Sequence, residues 1–138
     1  MNGSLVGEKA CVSKTISETD VYLFAGISGD FNSVHVNKIA AKESIYGKQI
    51  AHGLLVGGLL SNVIGMKLPG EGTIYMEQDL RFKKPVYIGD TVTAWVEVME
   101  IINSEKNILK LNTWVLNQDG DRVIEGFAVV KAPIKGEV

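Results

Sequence analysis

The sequence predicts an α+β domain in which an antiparallel sheet wraps around one long, central apolar helix, preceded by a helical and looped segment. Three features carry that prediction. The run IAHGLLVGGLLSNVIGM, from Ile50 to Met66, leaves no broad polar face, as expected of a helix enclosed by other elements. Beyond LPGEG the apolar residues alternate with period two, and the turns between the alternating stretches are short. Consecutive strands with short turns favour antiparallel pairing, and a sheet with one apolar face must cover it.

In chain order, a short strand is expected near Lys9–Ile16. Ser17–Asp20, SETD, has the form of a capping box ahead of Val21, Tyr22, Phe24 and Ala25, so a helix should run to about Ser28. The polar stretch SGDFNSVHVN follows as a loop, and a second short helix is expected over Lys38–Ser44. IYGKQIAHG then leads into the apolar helix, where Gly57 and Gly58 lower helix propensity but allow close approach of a neighbouring backbone. In TIYMEQDLRF, Ile74, Met76, Leu80 and Phe82 share one strand face, with Gln78 the exception. TVTAWVEVMEI repeats the pattern with Val92, Ala94, Val96 and Val98, and NILKLNTWVLN and RVIEGFAVVKA follow after NSEK and NQDGD turns. The total is about five strands.

Composition bounds the function. A chain of 138 residues suits one domain spanning 1–138, and 46% hydrophobic against 22% charged residues can build a packed core. A formal charge of -2 lacks the basic footprint that neutralises phosphates, so nucleic acid is not an expected partner. Cys11 is the only cysteine, which excludes an internal disulfide and a multi-cysteine metal site and suits a structural thiol in a reducing cytoplasm. MNGSLVGEKACVSK has no basic start followed by an apolar core, so no signal peptide is expected. The Ile50–Met66 run holds His52, Ser61 and Asn62 and falls short of the roughly 20 apolar residues of a membrane span.

Polar chemistry concentrates in two places. Asp30 and His35 share a turn-rich loop and can converge on one water if that loop curls; the alternative is that Asp30 caps a turn and His35 packs against it. Gly53 opens the apolar helix, where unpaired amides and the positive end of the dipole attract an oxyanion, although a glycine there also eases the turn. His52, the only other histidine, is expected to make a structural hydrogen bond. A metal site is its alternative, with no helical i, i+4 pair or cysteine cluster to support it.

The ordered motifs FAGISGDFNSVH, YGKQIAHGLLVGGLLS and GTIYMEQDLRFKKPVYIGD resemble those of the MaoC-like (R)-specific enoyl-CoA hydratases, over about Phe24 to Val130. The resemblance implies the hot-dog fold and a homodimer. It also implies reversible syn addition of water to a trans-2-enoyl-CoA, giving the (R)-3-hydroxyacyl-CoA. Asp30 and His35 become the catalytic dyad, with Asp30 as base and His35 as orienter and proton donor, or the reverse. The Gly53 amide becomes the oxyanion donor, with Asn32 and Ser61 completing a polar network. Val63, Ile64 and Val130 become walls of the acyl pocket. Arg81, Lys83 and Lys84 can attract coenzyme A phosphates, or only solubilise a strand end. No cofactor is implied beyond the coenzyme A of the substrate, no metal and no membrane; short or medium acyl chains are expected, and acyl-carrier protein is the alternative carrier. The family has proline after the asparagine where this chain has Ser33, which leaves the loop less preorganised without removing a chemical group. A hot-dog thioesterase and a non-catalytic acyl-thioester binding module are the rival readings.

Overall fold

A computed structural model describes residues 6–134, so the first five residues of the stretch read for a signal peptide lie outside it. The elements are β1 (Lys9–Thr15), α1 (Glu18–Ser28), α2 (Ser33–Val36), α3 (Lys38–Glu43), α4 (Gly53–Met66), β2 (Ile74–Gln78), β3 (Arg81–Phe82), β4 (Thr91–Asn103), β5 (Ile108–Leu116) and β6 (Arg122–Lys131). The strands form one antiparallel sheet in the order β1-β4-β5-β6-β2, with β3 also paired to β6.

Period-two alternation sets the inner face of the sheet. Val92, Ala94, Val96 and Val98 of β4 are buried, as are Leu109, Leu111 and Val115 of β5 and Ala128 and Val130 of β6. They close on Val56, Leu60, Val63 and Ile64 of α4. Each fully buried aliphatic side chain of this kind contributes about 1.5–3 kcal/mol, which makes this layer the main source of stability.

The sheet wraps α4 as expected and covers one of its faces. The other face is open in the single chain: Leu54 is 62% and Met66 74% exposed, and Ser61 and Asn62 share that side. The structure corrects the strand expected in TIYMEQDLRF, which is two strands, making six in place of about five. Ile74, Met76 and Phe82 are exposed, and only Leu80 turns toward the core. A bulge between Tyr75 and Glu77 changes the parity, and the chain then breaks at Asp79 as it crosses Gly126 of β6. A Cβ on Gly126 would lie 2.0 Å from the Asp79 carbonyl oxygen, so only glycine admits that crossing. Gln78 is satisfied in the bend, donating to the Thr113 hydroxyl and to the carbonyls of Phe127 and Asp79.

The segment ahead of α4 is built differently. Ser17 and Asp20 form a reciprocal capping box that starts α1, and Gly29, at φ 80°, ends it by donating its amide to the Ala25 carbonyl. Asn37 caps α3 with its side-chain oxygen on the amides of Ile39 and Ala40. The helix expected over Lys38–Ser44 is α3; the one-turn α2 before it has too few residues for a periodic signal.

Candidate active site

The end of α1 begins a chain of local hydrogen bonds. The Ser28 hydroxyl donates to the Phe24 carbonyl at 2.7 Å and accepts from the Asp30 amide at 3.1 Å. The Asp30 carboxylate accepts from the Asn32 amide at 3.1 Å, leaving its other oxygen unengaged by this turn. The Asn32 side chain accepts from the Val34 amide at 3.3 Å, as N-cap of α2. Thus Asn32 secures the loop that carries Asp30 and His35, and it does not line the cavity described below.

One turn of α2 presents His35, which is 9% exposed. Its Nδ1 lies 2.8 Å from the Ile50 carbonyl oxygen. A carbonyl only accepts, so Nδ1 carries the proton and, in the neutral ring, Nε2 carries the free lone pair. The buried Gln49 side chain donates to the His35 carbonyl at 2.7 Å and to the Tyr22 hydroxyl at 3.1 Å. The Ile50 amide donates to the Val34 carbonyl at 3.2 Å. Main-chain and side-chain bonds together therefore tie the strand-like segment before α4 to the histidine.

His52 is 2% exposed and occupies the N-cap of α4. Its Nε2 donates to the Asp30 carbonyl at 2.9 Å, and its ring stacks on His35 with centroids 3.9 Å apart and planes 28° from parallel. A ligand atom from each of Asp30, His35 and His52 lies within 4.8 Å of the other two. The His52 Nε2 is committed to a carbonyl, and its Nδ1 is buried without a hydrogen-bond partner.

Gly53 is the first residue of α4, and His52 makes no side-chain capping bond to the first-turn amides. The first turn is the positive end of the helix dipole, and Gly53 and Leu54 at that end line a cavity of about 540 Å³. Asp30, His35, His52 and Gly53 line that cavity, whose apolar walls include Phe24, Val56, Phe82 and Ile124. Its volume suits a small organic ligand with a few convergent polar groups. A Cβ on Gly53 would stand 2.6 Å from the Phe82 ring, so the packing of a protein neighbour favours glycine here.

The other expected site residues separate into three groups. Lys83 and Lys84 line the cavity but face acids, with Glu125 at 3.8 Å and Asp121 at 3.3 Å; Arg81 faces Asp79 at 3.3 Å and does not line it. Ser61 lies on the exposed side of α4 and does not line the cavity in the single chain. Val63, Ile64 and Val130 are at most 1% exposed and belong to the core between α4 and the sheet, which corrects their expected place as cavity walls. Helical geometry explains both: the turn that aims Gly53 and Val56 at the cavity aims Val63 and Ile64 at the sheet. Sequence reasoning missed Gln49, Phe24 and Phe82. A single buried glutamine leaves no periodic signal, and Phe24 and Phe82 were legible only as apolar positions of a helix and a strand.

Comparison with known proteins gives a consistent set of relatives. The model described as the MaoC like domain matches residues 5–118. An (R)-specific enoyl-CoA hydratase of Rhodospirillum rubrum is 47% identical over 130 residues, covering 94% of this chain and 89% of the relative. A 3-hydroxybutyryl-CoA dehydratase of Methylorubrum extorquens is 42% identical over 133 residues, covering 96% of this chain and 83% of the relative. Among solved structures, an (R)-hydratase from A. caviae involved in PHA biosynthesis superposes with a TM-score of 0.93 at 41% identity, covering 96% of this chain and all of that one (100%). The architecture is the hot-dog fold of these neighbours.

Proposed function

The chain belongs to the MaoC-like family, and from that membership we propose that it is an (R)-specific enoyl-CoA hydratase. It adds water reversibly and syn to a trans-2-enoyl-CoA, giving the (R)-3-hydroxyacyl-CoA. The observation that carries the site assignment is the convergence of Asp30, His35 and the start of α4 at Gly53 on one largely apolar cavity.

Hydration needs a base for water, a proton for C2 and a donor for the charge that gathers on the thioester oxygen. The His35 bond to the Ile50 carbonyl favours the histidine as base, reversing the first of the two assignments open from sequence. His35 Nε2 takes one proton from water as the water oxygen bonds to C3. The imidazolium returns that proton to C2 on the same face, and the Asp30 carboxylate accepts a hydrogen bond from the other O–H, which stays on the C3 hydroxyl, and so orients the water. The Gly53 amide holds the thioester oxygen at the helix start. The sum is one water added across one double bond, with no oxidation or reduction and no cofactor beyond the coenzyme A of the substrate.

The cavity volume supports short or medium acyl chains. Coenzyme A is the proposed carrier, with Lys83 and Lys84 at the cavity edge, and acyl-carrier protein the alternative. The enzyme works as a homodimer in this reading. β2 is an edge strand with Ile74, Tyr75 and Met76 exposed, and the open side of α4 shows Leu54 and Met66, so two copies pairing there would cover both apolar surfaces. No helix among the described residues is long and apolar enough to cross a membrane, and a cytoplasmic location fits the single free thiol. Incubation with crotonyl-CoA tests the reaction: loss of enoyl absorbance without release of free thiol is the expected result. Thiol release would instead reveal a thioesterase, and neither signal a binding module.

A further inference from the structure

Buried polar atoms normally find partners, because an unpaired one loses its hydration without compensation. His52 breaks that rule: its ring is 2% exposed and its Nδ1 has no hydrogen-bond partner. A phenylalanine would fill similar space without leaving a buried acceptor unpaired. The imidazole must therefore answer some other requirement, and its surroundings supply three. Its Nε2 donates to the Asp30 carbonyl at 2.9 Å. One face of its ring stacks on His35 at 3.9 Å, and it also contacts the Phe24 ring at 4.8 Å. Its own backbone is the N-cap of α4, immediately before the Gly53 amide.

We infer that His52 is a positioning residue that fixes the carboxylate, the base and the oxyanion amide relative to one another. The Nε2–H bond anchors the backbone of the loop that carries the Asp30 carboxylate. The stacked face limits rotation of the His35 ring, whose Nδ1 is already held by the Ile50 carbonyl, so Nε2 keeps one direction. The chain then passes within one residue to the amide that holds the thioester oxygen. A donor at the ε position combined with a flat ring of this size is available only from histidine. The same constraint requires opposite tautomers in the two stacked rings: Nε2–H in His52 and Nδ1–H in His35. The His52 Nε2 is on a carbonyl and its Nδ1 is buried, so its influence passes through its three neighbours.

The inference rests on the proposed hydratase site, and its tests separate the two. His52→Phe retains the ring and removes the donor; His52→Gln retains a donor near the ε position and removes the ring. Each should lower kcat for crotonyl-CoA about 10- to 100-fold with KM within about threefold of the parent, since misplacement of catalytic groups by about 1 Å costs that order. In an Asp30→Asn background, His52→Phe should cost several-fold less than in the parent, because the part of its effect that passes through the Asp30 carboxylate is already lost. A residue that serves only packing would lower both backgrounds by the same factor. Parental kcat in a folded His52→Phe, or fully multiplicative losses with Asp30→Asn, overturns the inference. If Asp30→Asn and His35→Ala themselves hydrate normally, the site reading fails first. A measurement that needs no variant is the long-range ¹H–¹⁵N spectrum of the histidines in alkaline buffer. Opposite tautomers are expected, and an Nδ1–H tautomer at His52 overturns the inference.

Discussion

Two helix N-caps in this molecule share nearly the same backbone angles and send their side chains to opposite uses. Asn32, the N-cap of α2, has φ -52° and ψ 131°; His52, the N-cap of α4, has φ -61° and ψ 135°. At α2 the cap side chain turns back and takes the Val34 amide, so the loop satisfies itself. At α4 the cap side chain turns away to the Asp30 carbonyl and leaves the first turn, whose Gly53 and Leu54 line the cavity, without a side-chain cap. The same cap angles therefore accompany a self-capped start at α2 and an uncapped start beside the cavity at α4, and the difference lies in where one side chain goes. α1 is a third case, in which Ser17 and Asp20 cap reciprocally.

The strongest way to break the comparison is to remove the groups that the self-capped loop presents. Asp30→Asn and His35→Ala should each lower turnover of crotonyl-CoA by about 10²–10⁴, with circular dichroism unchanged, since each loses a group that touches the reacting water. The double variant should cost less than the product of the two. Near-parental hydration by either would remove that residue from the mechanism.

Proline at the open start comes next. Gly53 is the first helical residue of α4, where proline is structurally welcome, and His52 already has the extended ψ that proline demands of its predecessor. Gly53→Pro therefore deletes one amide with little backbone cost, while its ring displaces the half-exposed Phe82 side chain. The expected loss is about 2.7–4 kcal/mol of transition-state stabilisation, read chiefly in kcat. Gly53→Ala, which also displaces Phe82 but keeps the amide, is the control. Equal losses in both would assign the effect to Phe82 and not to the amide.

These two experiments also mark what was legible in the sequence. The ladders were: Val92, Ala94, Val96 and Val98 alternate in sequence and point inward together in the structure. The pairing of Asp30 with His35 could be read because the loop that joins them is local and its ordered motifs resemble a known family. Other features depended on distant residues. The parity change in β2 and the break at Asp79 need Gly126 across the ladder, and nothing in TIYMEQDLRF reports that glycine. Val63, Ile64 and Val130 were read as pocket walls because an aliphatic residue facing a core and one facing a ligand are indistinguishable without the helix rotation. The carbonyl targets of His35 and His52 were equally invisible, since a backbone acceptor has no letter of its own.

At α1 the effect should fall on stability and leave turnover per folded molecule alone. Ser17→Ala removes the cap on the Asp20 amide and should cost about 0.5–2 kcal/mol, measured by urea denaturation. Burial alone would raise the Asp20 carboxyl, but the Ser17 amide and hydroxyl and the neighbouring Lys14 ammonium outweigh it and hold the pKa below its ordinary value. A carboxylate depressed in the folded state contributes its stability fully above the unfolded pKa of about 3.9 and loses it as pH falls through the lower folded value. The Ser17→Ala penalty should therefore shrink in that acidic window. A penalty that grows there would contradict the box.

The smallest effect sharpens the comparison most, because it places the same residue at the other start. Ser33 is the first residue of α2, where the amide needs no helical partner, and Asn32 at ψ 131° already has the conformation that precedes proline. The family has proline at this position, so Ser33→Pro should fit without strain and stabilise the fold by about 0.4–1 kcal/mol through the unfolded chain. Turnover should stay level or rise slightly, since the Asn32 cap and the His35 bond to Ile50 both lie outside the new ring. One proline thus removes catalysis at α4 and adds stability at α2, although the two caps share nearly the same backbone angles. A Ser33→Pro variant that lost activity as Gly53→Pro does would mean that the α2 start, like the α4 start, has an amide committed to the reaction.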